Sequence, residues 1–352
     1  MSIIKPHIVA MTAYKPPLEG RSSKSHLLLD FNERTLPVGA SVENALIDFI
    51  RDGRLQQYPS YGDIVEQIAN YAGVSVEQVM ITNGSDQGIE LIFRSICRER
   101  DQVIIPEPTF AMYRQCAKVE NTVVVSPAYN REQGFPAQAV IDAVTPATRL
   151  IVISNPNNPS GTEVAREVIE KIVRQNPEVG VLVDECYFEY SNVTVCDLVS
   201  TYPNLFVVRT FSKTWGIPSL RLGYIISDKK NITALLNVRG PYDINQLAIV
   251  AIRAALADFK SVDSYVREVM DESKPLLETF LQKEKIVYWP SSANFIWVFP
   301  DNAAQIERAL REKGILVRPK QNQEGELGLR ITLGTKAQTQ RMIDILQAQL
   351  TS

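Results

Sequence analysis

The chain has 352 residues, 45% of them hydrophobic and 22% charged, with 37 Lys plus Arg against 40 Asp plus Glu. That length supports a large core and favours two lobes, while a net charge of −3 argues against nucleic acid or an anionic membrane as the main partner. Only two histidines occur, His7 and His26, and the cysteines Cys97, Cys116, Cys186 and Cys196 show no CxxC spacing, so a histidine-based triad, a metal site and a disulfide framework are all disfavoured.

No signal-peptide pattern opens the chain and no apolar run approaches about 18 residues, which leads us to expect a cytoplasmic protein with no membrane span. Residues 1–35 contain "KPP" and no clear period; they read as an N-terminal arm that packs on something else. From about residue 78, short β-branched runs alternate with helical patterns: "VMIT", "QVIIP", "TVVVS", "RLIVIS", "GVLVDE", "LFVVRTFS" and "LGYIIS". Continuous apolar strands with helical connections predict an α/β lobe over 36–240, built on a mostly parallel seven-stranded sheet covered on both faces. After residue 240 the texture changes to long helical stretches and then "KIVYWP", "NFIWVFP", "ILVRP" and "LGLRITLG", which predicts a smaller α+β lobe over 241–352.

Ligands of open parallel sheets bind at the carboxyl ends of the strands, and here those ends are polar. "NGSDQG" (83–88) opens a helix directly after a strand, so its backbone N–H groups and helix dipole could hold an anion, or Ser85 or Asp86 could simply cap the helix. Neither GxGxxG nor a P-loop occurs. Asp184 ends an apolar strand, and a carboxylate there needs a cation or hydrogen bonds to stay ionised. Lys213 follows 29 residues later; desolvated at such a position, a lysine becomes a nucleophilic amine or a base, whereas at the surface it would only snorkel. A phosphate cradle, an aspartate, a lysine and the nearby Arg221 together fit pyridoxal phosphate: a lysine for the Schiff base, a carboxylate for the pyridine nitrogen and a cradle for the phosphate.

"NPNNPSG" (155–161), "DECY" (184–187) and "SKTWGIPSLRLGY" (212–224), in this order, resemble the fold-type I aminotransferases, and within them the histidinol-phosphate aminotransferases. The likeness runs from "DFNE" (30–33) to "LRITLG" (329–334). It implies the aspartate aminotransferase-like fold of pyridoxal-phosphate-dependent transferases, a homodimer, and ping-pong transamination with glutamate and 2-oxoglutarate as one substrate pair. It further implies that Lys213 is the Schiff-base lysine and proton shuttle, that Asp184 pairs with the pyridine nitrogen, and that Asn158 and Tyr187 donate to the phenolic oxygen. Phe110 would stack on the ring; Ser85, Asp86, Thr210, Ser212 and Arg221 would surround the phosphate, joined by Tyr58 of "QQYPSYG" from the other subunit. Arg330 would anchor the substrate anion, with Asn158, Arg318 of "ILVRPK" and Tyr14 of the arm also at the substrate.

Three stretches depart from that pattern. "IPS" (217–219) replaces a small pair, "GSDQ" replaces a more acidic run, and "NERTLP" lacks a proline directly after the acidic residue. They leave the cofactor residues intact and unsettle the substrate pocket. An aromatic amino-acid aminotransferase or a phosphothreonine-type decarboxylase on the same scaffold therefore stays open. Against a non-catalytic module on the same fold stand Lys213 and Asp184, both present.

Overall fold

In the computed structural model, which describes residues 2–13 and 15–350, the chain forms two lobes around two sheets. The larger sheet is made of β2 (Val79–Thr82), β3 (Gln102–Ile104), β4 (Val123–Val125), β5 (Thr148–Ser154), β6 (Gly180–Asp184), β7 (Leu205–Thr210) and β8 (Gly223–Ser227), in the order β2-β8-β7-β6-β5-β3-β4. Alternate residues of its strands enter two different cores. Ile151, Ile153, Val181, Val183 and Val207 face one, and Leu150, Val152, Leu182, Phe206 and Val208 the other. A strand buried on both faces must be apolar at every position, which is why these runs do not alternate with polar residues.

β8 alone runs antiparallel to both of its neighbours. Adjacent parallel strands need a long crossover, usually a helix, whereas a reversal needs only a loop. The segment from β7 to β8 is such a loop, tightened by the short helical turn Pro218–Leu220, and it carries Lys213. The reversal therefore leaves Lys213 at the carboxyl edge of the sheet, beside the ends of β6 and β7.

The second sheet has the order β1-β11-β12-β10-β9, from β1 (Leu27–Leu29), β9 (Val287–Trp289), β10 (Phe295–Phe299), β11 (Ile315–Gln321) and β12 (Leu327–Thr332). Apart from β1 paired parallel with β11, its strand pairs are antiparallel. The residues read as an N-terminal arm thus supply a strand to the C-terminal sheet, and Leu29 is fully buried in its core with Phe295, Ile315 and Leu329. The change of texture at residue 240 does not coincide with the change of core. Ala248, Ile249, Ala251 and Ile252 of the helix Gln246–Ala257 pack in the larger lobe with Val42 and Ile64, and the smaller core takes over only from Tyr265 and Val269. The apolar period continues across 240, so the sequence shows helices there but not which sheet covers them.

Candidate functional site

A cavity of about 660 Å³ opens at the carboxyl edge of the larger sheet, lined by residues from the ends of β5, β6 and β7, the start of the helix Gly84–Ile96 and the Lys213 loop. Ser85, Asp86, Phe110, Asn158, Asp184, Tyr187, Thr210, Ser212, Lys213 and Arg221 all face it. Ten positions singled out along 137 residues of sequence thus converge on one space, because parallel strands deliver all their carboxyl ends to one edge.

Local structure explains which member of each motif reaches the cavity. In "DECY", successive strand residues point to opposite sides. Asp184 faces the cavity, while Glu185 turns away to pair with Arg209 at 2.8 Å, both fully buried. In "NPNNPSG", the Asn155 side chain is held by Val164, and that of Asn157 bonds Thr109, the Pro108 carbonyl and Ser160. Asn158 is left to face the cavity, its oxygen accepting from Arg330 Nη1. On either side of Lys213, Phe211 and Trp215 are buried with ring centroids 5.2 Å apart, and Trp215 Nε1 donates to Glu189 at 3.0 Å. The lysine is therefore presented from an anchored loop.

Lys213 Nζ donates to the Phe31 carbonyl at 2.9 Å and lies 6.0 Å from the centre of the Tyr187 ring. Burial, reinforced by the Arg330 charge, lowers its pKa and favours the neutral amine. Asp184 is 5% exposed; it accepts from the Tyr113 hydroxyl at 2.6 Å and from the Cys186 backbone N–H at 3.0 Å. Burial raises its pKa against those two bonds, and no cation is paired with it among the described residues. A buried carboxylate of this kind is completed by a cationic N–H donor from a ligand.

The opposite end suits an anion. The helix Gly84–Ile96 has no side-chain cap: it starts on Gly84, with Asn83 and neither Ser85 nor Asp86 at the capping position. Gly84 has φ of +73°, and a Cβ there would come within 2.5 Å of Arg221 Nη2, so the guanidinium lies flush on the helix start. Arg221 itself sits in the left-handed region at φ 56°, directly after the turn Pro218–Leu220, whose Pro218 and Ser219 belong to the "IPS" departure and also line the cavity. Its Nη2 donates to Asp86 at 2.7 Å. Thr210 and Ser212 are joined by their hydroxyls at 3.0 Å on the same wall. Exposed N–H groups, two hydroxyls and a guanidinium around a glycine-made recess fit a phosphate. With Asp184 and Phe110 lining the same cavity, the residues present fit pyridoxal phosphate.

A smaller cavity of about 70 Å³ adjoins Lys213 and is lined by Arg318, Lys320 and Arg330 together with Asn32, Asn158 and Tyr187. Arg330 Nη2 donates to the Asp30 carbonyl at 2.7 Å, and the Arg318 guanidinium lies over the Phe31 ring at 5.2 Å. Tyr58 is not in either cavity: it is 78% exposed and stacked on Tyr242, 4.4 Å between centroids. Tyr14 lies outside the described residues, although Pro16 and Leu18 of the same arm line the larger cavity. His7 and His26 line neither cavity, all four cysteines are unpaired and buried, and no metal-binding cluster occurs among the described residues.

Sequence reasoning missed four groups. Tyr113 stands one helical turn after Phe110, a spacing that shares a face, and its signal was available. Asn32, at φ 56°, donates to the Tyr187 hydroxyl at 3.0 Å, and Phe31 offers its carbonyl to Lys213; both depend on the packing of residues 30–33 between the lobes. Lys320 lies two residues from Arg318 on one strand face, a period-2 signal.

Among the described residues no helix is long and apolar enough to cross a membrane. The sequence profile of the family "Aminotransferase class I and II" matches residues 26–346. A histidinol-phosphate aminotransferase of Dehalococcoides mccartyi is 32% identical over 344 residues, covering 95% of this chain and 93% of the relative. One of Limosilactobacillus fermentum is 34% identical over 355 residues, 96% of each chain. The crystal structure of histidinol-phosphate aminotransferase from Sinorhizobium meliloti in complex with pyridoxal-5'-phosphate superposes with a TM-score of 0.87 at 19% identity, over 99% of this chain and 98% of that one. Its fold is the aspartate aminotransferase-like fold expected from the sequence, shared also with aspartate aminotransferases. The chain is an enzyme of the class I and II aminotransferase family.

Proposed function

We propose that the enzyme uses pyridoxal phosphate to move an amino group between glutamate and the 2-oxo partner of histidinol phosphate, giving 2-oxoglutarate and histidinol phosphate, and that it works as a homodimer. The observation that carries this reading is the position of Lys213 Nζ, which stands between a buried carboxylate on one side and the cationic cavity of Arg318, Lys320 and Arg330 on the other.

When bound, the cofactor supplies an electron sink for the pair left at the substrate Cα. Lys213 would attach it, and once freed by the incoming substrate its amine would carry the proton between Cα and the cofactor's C4′. Burial suits the lysine to this, since a lowered pKa favours the neutral amine that can take the proton. Asp184 would hold a proton on the pyridine nitrogen, with Tyr113 and the Cys186 N–H fixing its two oxygens. Asn158 and Tyr187 would donate to the phenolic oxygen, and Phe110 would cover one face of the ring. Ser85, the backbone at Asp86, Thr210, Ser212 and Arg221 would hold the phosphate, with Tyr58 of the second subunit. Arg330, steadied by Asn158 and the Asp30 carbonyl, would take the substrate's anionic group.

Relatives named histidinol-phosphate aminotransferase at 32–34% identity support this choice of substrate. The test is purified enzyme with glutamate and imidazole acetol phosphate, compared with phenylpyruvate as acceptor and with phosphothreonine for release of CO₂. Faster turnover of phenylpyruvate, or CO₂ release, would overturn it. Lys213→Ala should lower kcat by roughly 10⁴-fold.

A further inference from the structure

We propose that Glu189 is a positioning residue for Lys213: its carboxylate ties the loop that carries the lysine to the segment that carries Tyr187, and so fixes how the two stand to one another in the cavity. The proposal rests on the reading of Lys213 as the residue that attaches the cofactor.

Three donors converge on this one side chain. Its Oε1 accepts from Trp215 Nε1 at 3.0 Å and from the Tyr71 hydroxyl at 3.2 Å, and its Oε2 accepts from the Thr214 hydroxyl at 3.1 Å. Thr214 and Trp215 are the two residues that follow Lys213, whereas Glu189 lies in the short helix Phe188–Ser191, which starts directly after Tyr187. The loop's own backbone adds the Gly216 N–H, which donates to the Lys213 carbonyl at 3.1 Å. Tyr71, from the helix Ile64–Ala72, sets its ring edge-on against Trp215 with centroids 5.2 Å apart, so a third segment braces the pair. Lys213 Nζ and the Tyr187 ring, 6.0 Å apart, thus belong to two segments that are joined just behind them.

An acid is a costly way to fill this place. A carboxylate taken out of water must have its oxygens bonded, and burial raises the Glu189 pKa against the charge of Arg209 and the bonds from Trp215 and Thr214. No ion pair offsets that cost among the described residues: Arg209 lies over the Phe188 ring at 3.5 Å and is paired with Glu185. Stability alone does not call for a charge here, because an apolar side chain avoids the cost. What the acid adds is direction. Bonds to an ionised acceptor are shorter and stronger than neutral ones, and three of them restrict the indole and the threonine together. A displacement of about 1 Å at a reacting group costs up to about a hundred-fold in rate, so a brace one residue from Lys213 acts on turnover.

The experiment compares Glu189→Gln, Trp215→Phe and the double variant, each saturated with pyridoxal phosphate, with Tyr202→Phe as the control. Tyr202 donates to Glu170 at 2.9 Å, a bond of the same kind that touches neither cavity. Glutamine keeps the size of Glu189 but turns an N–H₂ toward one of the three donors. With glutamate as amino donor, kcat should fall about ten-fold in Glu189→Gln and about three-fold in Trp215→Phe, with KM little changed. The double variant should lose no more than Glu189→Gln alone, because the indole acts through the carboxylate. The pH at which the absorbance of the bound cofactor changes should move by about half a unit in both single variants and stay in place in Tyr202→Phe. Losses that multiply in the double variant, an unmoved absorbance titration, or a Tyr202→Phe that behaves like Trp215→Phe would overturn the role of Glu189. If borohydride fixes no cofactor on Lys213 of the wild type, the functional reading fails, and the brace is decided on the cofactor-free protein. There the rate at which trinitrobenzenesulfonate modifies Lys213, read by peptide mapping, should change about three-fold in Glu189→Gln and not in Tyr202→Phe; an unchanged rate overturns the brace as well.

Discussion

The two ends of the candidate site handle charge in different ways. At the edge of the larger sheet the arginines are paired within the protein, Arg221 with Asp86 and Arg209 with Glu185, and Asp184 is held in place by a hydroxyl and a backbone N–H. On the β11–β12 face, Arg318 and Lys320 have no acidic partner among the described residues. The first end holds its geometry through internal pairs, and the second presents two cations without such a pair. Preorganised groups act on the rate of the chemical step, whereas unbalanced cations act on binding. Changes at the first end should therefore appear in kcat and changes at the second in KM.

Asp184→Asn puts the contrast at greatest risk. It should lower kcat by about 10²- to 10³-fold, the size expected for removing one preorganised electrostatic group. Steady-state kinetics with glutamate check this, and a loss confined to KM would break the distinction. Arg330→Lys comes next, with KM for the substrate anion raised about ten- to a hundred-fold by loss of the planar fork. Because Arg330 also holds Asn158, some loss of kcat should accompany it, placing this residue at the join between the two ends. Tyr113→Phe removes only one hydrogen bond to Asp184 and should cost about ten-fold in kcat with KM unchanged. A melting curve of the same variant tells whether that loss is catalytic or structural.

The smallest effect concerns pH. Lys320 lines one cavity with Arg318, Arg330, Lys213 and Tyr187, and burial with the two guanidinium charges lowers its pKa to about 8. Below that value it is charged; as pH rises through it the charge is lost, and KM for an anionic substrate should rise by about ten-fold or less between pH 7 and 9. Lys213 also titrates from a lowered pKa, so the informative quantity is the difference between wild type and Lys320→Gln.

The sequence carried the elements and most of the site, for a physical reason. Strands covered on both faces announce themselves as unbroken apolar runs, and their polar ends gather without any knowledge of the sheet order. Pairings between distant segments left no such trace. β1 shows three leucines that fit a strand or a helix, and only packing against Ile315 and Leu316 decides. The helix Gln246–Ala257 has a clear apolar face, but the sequence does not say which lobe receives it. Tyr113 reaches Asp184 across 71 residues, a contact that no local period encodes.

One of those distant pairings also orders events during synthesis. The strand Leu27–Leu29 and the residues after it form the wall that holds Lys213, yet they are fixed by the far end of the chain: Asn32 is bound by Thr332, 300 residues away, and Leu27 aligns with Ile315. A segment made early must wait for one made about 300 residues later before it can settle. The larger sheet has no such dependence, because its strands lie between residues 79 and 227. Contacts of such large separation close slowly, so the catalytic cleft should be among the last parts of the molecule to form, after the sheet on which it stands.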